Sequence, residues 1–312
     1  MSPGPVLLVG SAEDEHVAAL RERLTLDGHE AVVLDALRFP EGVHLTLGES
    51  QNDMLLEGAS IGHPRSVYLR GLYLSPLAFG VDVSKDMDED WRTTLVIFRE
   101  KAEMLVGLLQ RWEDLGTPIY NPLSAGDRTR KPSQIARLAA AGVPVPRTLW
   151  SNDPKEVLAF ARRHGRVAYK PVAGGAATKE LTEADLGRER LEALANAAVT
   201  FQELLPGEDY RVFVVDGRIA SALRIVASAL DYRQNEESIE SVQLPDDDRK
   251  ACLRTAETLG LRFTGIDLKR GADGKLRVLE ANASPMFLGF DAASGGDVLG
   301  ALAGALAGNV RP

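Results

Sequence analysis

Between Gly265 and Pro285 the chain reads Gly-Ile-Asp-Leu-Lys-Arg-Gly-Ala-Asp-Gly-Lys-Leu-Arg-Val-Leu-Glu-Ala-Asn-Ala-Ser-Pro, and this stretch limits the possible folds more than any other. Ile266 and Leu268 alternate with Asp267, Val278 and Leu279 lead into Glu280, and Ala272-Asp273-Gly274 between them signals a turn, so a β-hairpin is expected. Side chains two apart on a strand project to the same side, which places Glu280 and Asn282 together and lets Asp267 face them from the paired strand. Two carboxylates and an amide oxygen on one face are hard donors of the kind Mg²⁺ takes beside phosphate groups. Surface hairpins also carry acids on their solvent face, so the rest of the chain has to decide.

With 312 residues, two or three compact units are expected. Hydrophobic residues at 45% and charged residues at 26% exclude a disordered or fibrous chain. No apolar run is long enough to span a bilayer, and Val6-Leu-Leu-Val9 follows Met1-Ser-Pro-Gly-Pro with no basic segment or cleavage pattern, so it reads as a first strand of a cytoplasmic protein. The net charge of −9 argues against nucleic-acid binding through the phosphate backbone. The single cysteine, Cys252, sits in a helical pattern and reads as a packing residue.

Val6–Val9, a helix from Glu15 to Leu26 and a strand from Ala31 to Leu34 open the chain as an α/β unit; Gly10 lacks the context of a dinucleotide loop. Ser66 to Leu72 reads as a strand, and a helix from about Asp88 to Leu115 carries Trp91, Leu95, Phe98, Leu105, Leu108, Leu109 and Trp112 on one apolar face. Asn121-Pro122 interrupts the pattern, which sets boundaries of 1–122, 123–204 and 205–312. Within the second unit, Thr148 to Trp150 is a strand, Asp153-Pro154 caps a helix, and Val167-Ala-Tyr-Lys-Pro171 runs into the loop Ala173-Gly-Gly-Ala-Ala-Thr178. The third holds strands Tyr210–Val215 and Arg218–Val226 around an Asp216-Gly217 turn, a helix from Asp246 to Leu259, the hairpin, and an apolar helix from about Gly296 to Leu306.

Lys170 ends a strand directly before Gly174 and Gly175, whose backbone amides can approach a polyphosphate closely while the ammonium supplies a point charge. Lys131, 39 residues earlier, is a second cation of the same kind, although a lysine alone is more often a solvated surface group. Gln202, Glu203, Leu204 and Leu205 end at Pro206-Gly207, where a strand edge would offer backbone groups to a purine and Glu208 or Asp209 a carboxylate to a ribose diol. Arg211 and Arg224 fall on successive strands and are expected on one face, placed to clamp a phosphate or acyl phosphate; cross-strand ion pairing is the plainer alternative for either. The five histidines are scattered, and none reads as a general base.

Taken in order, Lys131, Lys170, Gln202 to Leu205, Asp209, Arg211 and Asp267…Glu280-x-Asn282 resemble the ATP-grasp carboxylate–amine ligases, RimK or glutathione-synthetase type, over about residues 120 to 307. The resemblance implies an α+β ATP-grasp fold, two subdomains clasping ATP behind an α/β pre-ATP-grasp domain. It further implies phosphate contacts from Lys131 and Lys170, adenine at Gln202–Leu205, ribose at Asp209, and two Mg²⁺ at Asp267, Glu280 and Asn282, with Mn²⁺ as a substitute. Within that group, Ser66-Val-Tyr-Leu-Arg-Gly71, Tyr120-Asn-Pro122, Asp127-Arg-Thr-Arg-Lys-Pro-Ser-Gln134 and Val143-Pro-Val-Pro-Arg-Thr148 are similar to the graspetide, or microviridin-type, ligases that crosslink ribosomal peptides. Gly71 stands where those enzymes tend to carry a second arginine. Gly265 stands where D-alanine ligases have an arginine, so Arg224, with Arg211 and Lys170, is expected to steady the transferred group.

The reaction so implied is attack of a substrate carboxylate on the γ-phosphorus of ATP, followed by displacement of phosphate by an amine or hydroxyl. Alignment and charge neutralisation carry such a step, which accounts for lysines, arginines and carboxylates in place of a nucleophilic serine or cysteine. The substrate is an amino acid, another small molecule or a peptide; Tyr68 and Arg70 would mark a leader-peptide groove if they lined one. A dimer is usual among such relatives, so a homodimer is compatible. The rival of another class is a nucleotide-binding module without catalysis, which would be marked by a damaged metal triad.

Overall fold

A computed structural model describes residues 4–78, 80–173, 177–227 and 236–308. The unbroken apolar run Val6–Gly10 (β1) is buried throughout, as a strand inside a parallel sheet must be. Helix α1 (Glu15–Leu26) follows, its first turn capped by Asp14, which accepts from the His16 and Val17 N–H groups at 2.8 and 3.3 Å. Next come β2 (Ala31–Asp35), the short β3 (Leu45–Leu47), β4 (Met54–Leu56) and β5 (Ala59–Ser60), then β6 (Ser66–Leu69), α2 (Ser84–Asp114) and β7 (Ile119–Tyr120). The parallel sheet runs β2-β1-β6-β7, and β3-β4-β5 form a separate antiparallel sheet. Strands of two or three residues are too short for alternation to announce, so that small sheet is absent from the sequence reading. The expected apolar face of α2 is only half used. Leu105, Leu108, Leu109 and Trp112 are buried, whereas Trp91 and Leu95 remain 50% and 42% exposed.

The middle of the chain contains α3 (Leu123–Thr129), α4 (Lys131–Ala140), β8 (Thr148–Ser151), α5 (Pro154–His164), β9 (Val167–Pro171), β10 (Lys179–Glu180), α6 (Arg188–Glu192) and β11 (Val199–Glu203). An antiparallel sheet β10-β9-β11-β8 packs Val167 and Phe201 against Val157, Leu191 and Leu194. Strand alternation then turns Lys170, with its cross-strand partner Thr200, to the opposite face. The residues of this separate core run from Leu149 to Phe201. Ala125, Leu138 and Val143 pack instead with Val212, Ile266 and Val278 of the following sheet. An amphipathic helix shows that it has an apolar face but not which sheet receives it.

The last unit comprises β12 (Asp209–Val215), β13 (Arg218–Ala227), β14 (Glu236–Ser241), α7 (Asp246–Leu259), β15 (Phe263–Arg270), β16 (Leu276–Asn282), α8 (Leu288–Ser294) and α9 (Val298–Leu306), with sheet order β14-β13-β12-β15-β16. One face packs on α7 through Cys252, Ala256 and Leu259. Burial pushes the Cys252 thiol up to about 12, consistent with the packing role expected for it. On the other face Phe213, Val215, Leu223 and Phe263 meet α9, and with it Val6, Leu8, Leu20 and Tyr68 of the first unit. The first unit and the last sheet therefore share a core. Asp216 and Gly217 both take positive φ, 43° and 71°, as the tight turn joining β12 to β13 requires. Among the described residues, no helix is long and apolar enough to cross a membrane.

Candidate active site

Register brings the hairpin residues together. Asp267 lies directly opposite Glu280 and Gly265 opposite Asn282, so all three oxygen-bearing side chains share a face, with Asn282 Nδ2 donating to Asp267 Oδ2 at 3.2 Å. On β12, Arg211 stands opposite Asp267 and its Nη1 donates to Asp267 Oδ1 at 2.5 Å. Lys131, the first residue of α4, places Nζ 2.9 Å from Glu280 Oε2. Asp209 accepts from Lys269 Nζ at 2.6 Å. A cavity of about 630 Å³ is lined by Lys170 and Thr178 from the small unit and by Asp209, Arg211, Asp267 and Glu280 from the large one, with Asn282 beside them.

These residues suit a metal–nucleotide complex. Each of the two carboxylates is matched by a cation, Arg211 for Asp267 and Lys131 for Glu280, so negative charge is held in place by groups that a divalent ion and a polyphosphate can exchange with. Beside Lys170, the Thr200 hydroxyl is buried and, among the described residues, has no hydrogen-bond partner; it lies on the Lys170 face of the small sheet.

The remaining expected residues are placed as follows. Gly174 and Gly175 lie outside the described residues. Gln202 and Glu203 end β11; the Gln202 amide donates to Thr148 Oγ1 at 3.0 Å, and the Glu203 and Leu204 N–H groups donate to the carbonyls of Arg147 and Arg166 at 2.9 and 3.0 Å. Those two amides are thus occupied within the sheet, contrary to the expectation of an open edge, whereas among the described residues the Leu205 N–H reaches no backbone carbonyl. Arg224 is separated from Arg211. It pairs with Tyr210, not with Arg211, so the two guanidinium groups are on opposite faces, and Arg224 instead bridges Glu208 and Glu240 at 2.9 and 2.5 Å. Among the described residues Tyr68 and Arg70 do not line the cavity: Tyr68 is fully buried, and Arg70 is held between Asp14 and the backbone of Ser284 and Pro285 at 2.9, 3.0 and 3.2 Å.

Two positioning residues, Gln134 and Asn121, were not singled out from the sequence, and a third, Arg70, takes a different place from the one expected of it. Strand β16 is a sheet edge, and the Gln134 side chain completes it: its Nε2 donates to the Ala281 carbonyl at 2.8 Å and its Oε1 accepts from the Ala281 N–H at 2.9 Å. Ala281 separates Glu280 from Asn282, so this amide fixes the backbone between the two. Gln134→Leu is expected to cost about 2–4 kcal/mol by orphaning both Ala281 groups. It should also weaken MgADP binding by about 10–100-fold, the scale for removing a group that orients a metal ligand. Unchanged affinity by calorimetry would show that the edge contact does not orient the site. Asn121 clamps the start of β15 to the residue just after β16. Arg70, third, braces the segment after Asn282 from the first unit.

Burial works to raise the Asp14 carboxyl, but hydrogen bonds from His16 and Arg70, with the guanidinium charge, outweigh it and hold the group well below the usual carboxylate range. A depressed folded-state pKa gives stability that is present above the unfolded value of about 3.9 and lost as pH falls through and below it. Asp14→Asn should therefore melt lower at pH 7 and lose less on acidification to pH 3. Parallel melting curves across that range would contradict this.

A profile for the RimK-like ATP-grasp domain matches residues 130–306. The chain belongs to the RimK-like ATP-grasp family. Among solved structures, the ATP-grasp ligase PsnB complexed with a phosphomimetic variant of minimal precursor, Mg and ADP is 46% identical, covers 99% of each chain and superposes with a TM-score of 0.93. The macrocyclase MdnC from Microcystis aeruginosa MRC, bound with its precursor peptide, is 20% identical over 97% of this chain and 99% of that one, with a TM-score of 0.81, and supports the fold alone. A probable alpha-L-glutamate ligase of Xanthomonas oryzae pv. oryzae is 32% identical over 65% of this chain and 73% of its own. As a RimK-like ATP-grasp enzyme the protein is an ATP-dependent ligase with an α+β fold, in which a parallel-sheet unit precedes the ATP-grasp region. The non-catalytic reading falls with that membership.

Proposed function

We propose that this ligase activates carboxylate side chains of a ribosomally made precursor peptide and joins them to amine or hydroxyl side chains of the same peptide. The observation that carries the reading is the 46% identity with PsnB over 99% of both chains, against 32% over 65% of this chain for the glutamate ligase. PsnB has been solved with minimal precursor, and separately with a precursor peptide and AMPPNP. In this reading Asp267, Glu280 and Asn282 hold two Mg²⁺, replaceable by Mn²⁺, and Lys131 and Lys170 neutralise the phosphates. Gln202 to Leu205 pass beside adenine, with the Leu205 N–H as the donor, Gly174 and Gly175 close over the phosphates, and Asp209 takes the ribose. Arg211 steadies the carboxylate and then the acyl phosphate; Arg224, on the far face, has no part in it. The bound metal supplies charge neutralisation of the triphosphate. The chain's contribution is alignment, with Lys170 and Arg211 approaching the transferred group from the two units that line the cavity. The same reading takes the enzyme as cytoplasmic and is compatible with a homodimer.

The test is ADP release in the presence of candidate precursor peptides with acidic and Thr, Ser or Lys residues, beside glutamate and other free amino acids. Peptide-dependent ADP release, with a mass loss of 18 Da per crosslink in the product, is expected. Turnover with free amino acids and none with peptides would overturn the assignment in favour of an amino-acid ligase.

A further inference from the structure

Arg211 is 5% exposed, yet only part of its surroundings is charged. Its guanidinium carbon lies 5.2 Å from the ring centre of Phe213 and 5.7 Å from that of Phe290, and those two rings are themselves edge-on at 5.6 Å. Phe213 shares the Arg211 face of β12 by its spacing of two residues, and Phe290 comes from α8 and lines the cavity. The cross-strand neighbour of Phe213 is Gly265. A Cβ there would fall 2.5 Å from Arg211 Nη2 and 2.8 Å from Pro285 Cβ, so the glycine leaves the space into which the guanidinium lies.

We propose that Phe213, Phe290 and Gly265 form a cradle that aims the Arg211 guanidinium at the transferred phosphoryl group, with Phe290 as a positioning residue whose ring face, not its bulk, is required. The inference rests on the reading of Arg211 given above. Its physical basis is a problem that the site poses. Asp267 pairs with Arg211, and a metal ion bound at Asp267 would draw on the same carboxylate. Aromatic faces attract a cation without supplying a competing anion, so the charge stays directed at a phosphate.

Calorimetry with MgADP and aluminium fluoride, a mimic of the phosphoryl group in transfer, separates the possibilities. For Phe290→Leu and Gly265→Ala, the Kd of the fluoride complex should rise by about tenfold or more while MgADP alone stays within about twofold, and Phe290→Tyr should restore near-wild-type binding. Equal weakening in Phe290→Leu and Phe290→Tyr, or none in Phe290→Leu, would overturn the cradle. Gly265→Ala leaves Phe290 intact and so tests the same geometry independently of any folding defect in the Phe290 variants. Arg211→Met is the control for the underlying reading: if it binds the fluoride complex like wild type, Arg211 does not meet the phosphoryl group, whatever Phe290 does.

Discussion

Glu280→Gln is expected to lower turnover by on the order of 10²–10³-fold, the scale for removing one fixed charge that stabilises a transition state, while the protein stays folded. The substitution keeps the size of the side chain and removes its charge. Glu280 and Lys131 are 22% and 26% exposed, so the ion pair they make is partly solvated and its loss should hardly move the melting temperature. Under the proposed function the metal is affected more, because Glu280 stands directly opposite Asp267 and pairs with the Lys131 ammonium. A neutral amide there leaves Lys131 uncompensated, so a divalent ion meets one carboxylate fewer and one cation more. ADP release at rising Mg²⁺ should recover in part, since the defect is in loading the metal. Full activity at ordinary Mg²⁺ would remove Glu280 from the metal site.

Much of this site could be read before any coordinates, and the reason is local. In the hairpin, Asp267, Glu280 and Asn282 are separated only by a short turn, so period-two alternation alone puts them on one face. The same rule misplaced Arg224. Val215 pairs with Arg218 across the Asp216-Gly217 turn, and continuing that register would put Arg211 opposite Ala222, on the same face as Arg224. A bulge between Phe213 and Val214 inserts one residue, shifts the pairing to Arg211–Leu223, and turns Arg224 to the other side. Nothing in Ser221 or Ala220 announces that irregularity. Gln134 and Asn121 were illegible for another reason: each acts on backbone more than 140 residues away, and a buried amide looks in sequence like any surface one. The half-buried α2 follows the same logic, because spacing defines an apolar stripe without saying how far the neighbouring sheet extends beneath it.

Asn121→Ala should produce the largest loss of stability of any single polar substitution considered, about 3–5 kcal/mol. Asn121 is 4% exposed and its side chain uses its full capacity: Nδ2 donates to the Phe263 and Ala283 carbonyls at 2.5 and 2.6 Å, and Oδ1 accepts from the Arg262 and Phe263 N–H groups at 2.8 and 3.1 Å. One residue at the end of β7 therefore ties the start of β15 to the segment just after Asn282. Alanine removes the side-chain partner of four backbone groups, the two of Phe263 buried and those of Arg262 and Ala283 half-buried. Asn121→Asp separates geometry from mere size: it preserves shape and both acceptor contacts but sets an oxygen against two carbonyls, so it should be at least as damaging as alanine near neutral pH. Chemical denaturation of both variants, with MgADP affinity measured on the folded fraction, reads the two consequences together. An aspartate variant as stable as wild type would mean that the clamp is not held by the amide donors, and the account of how the first unit positions the β15–β16 hairpin would have to be rebuilt from Arg70 alone.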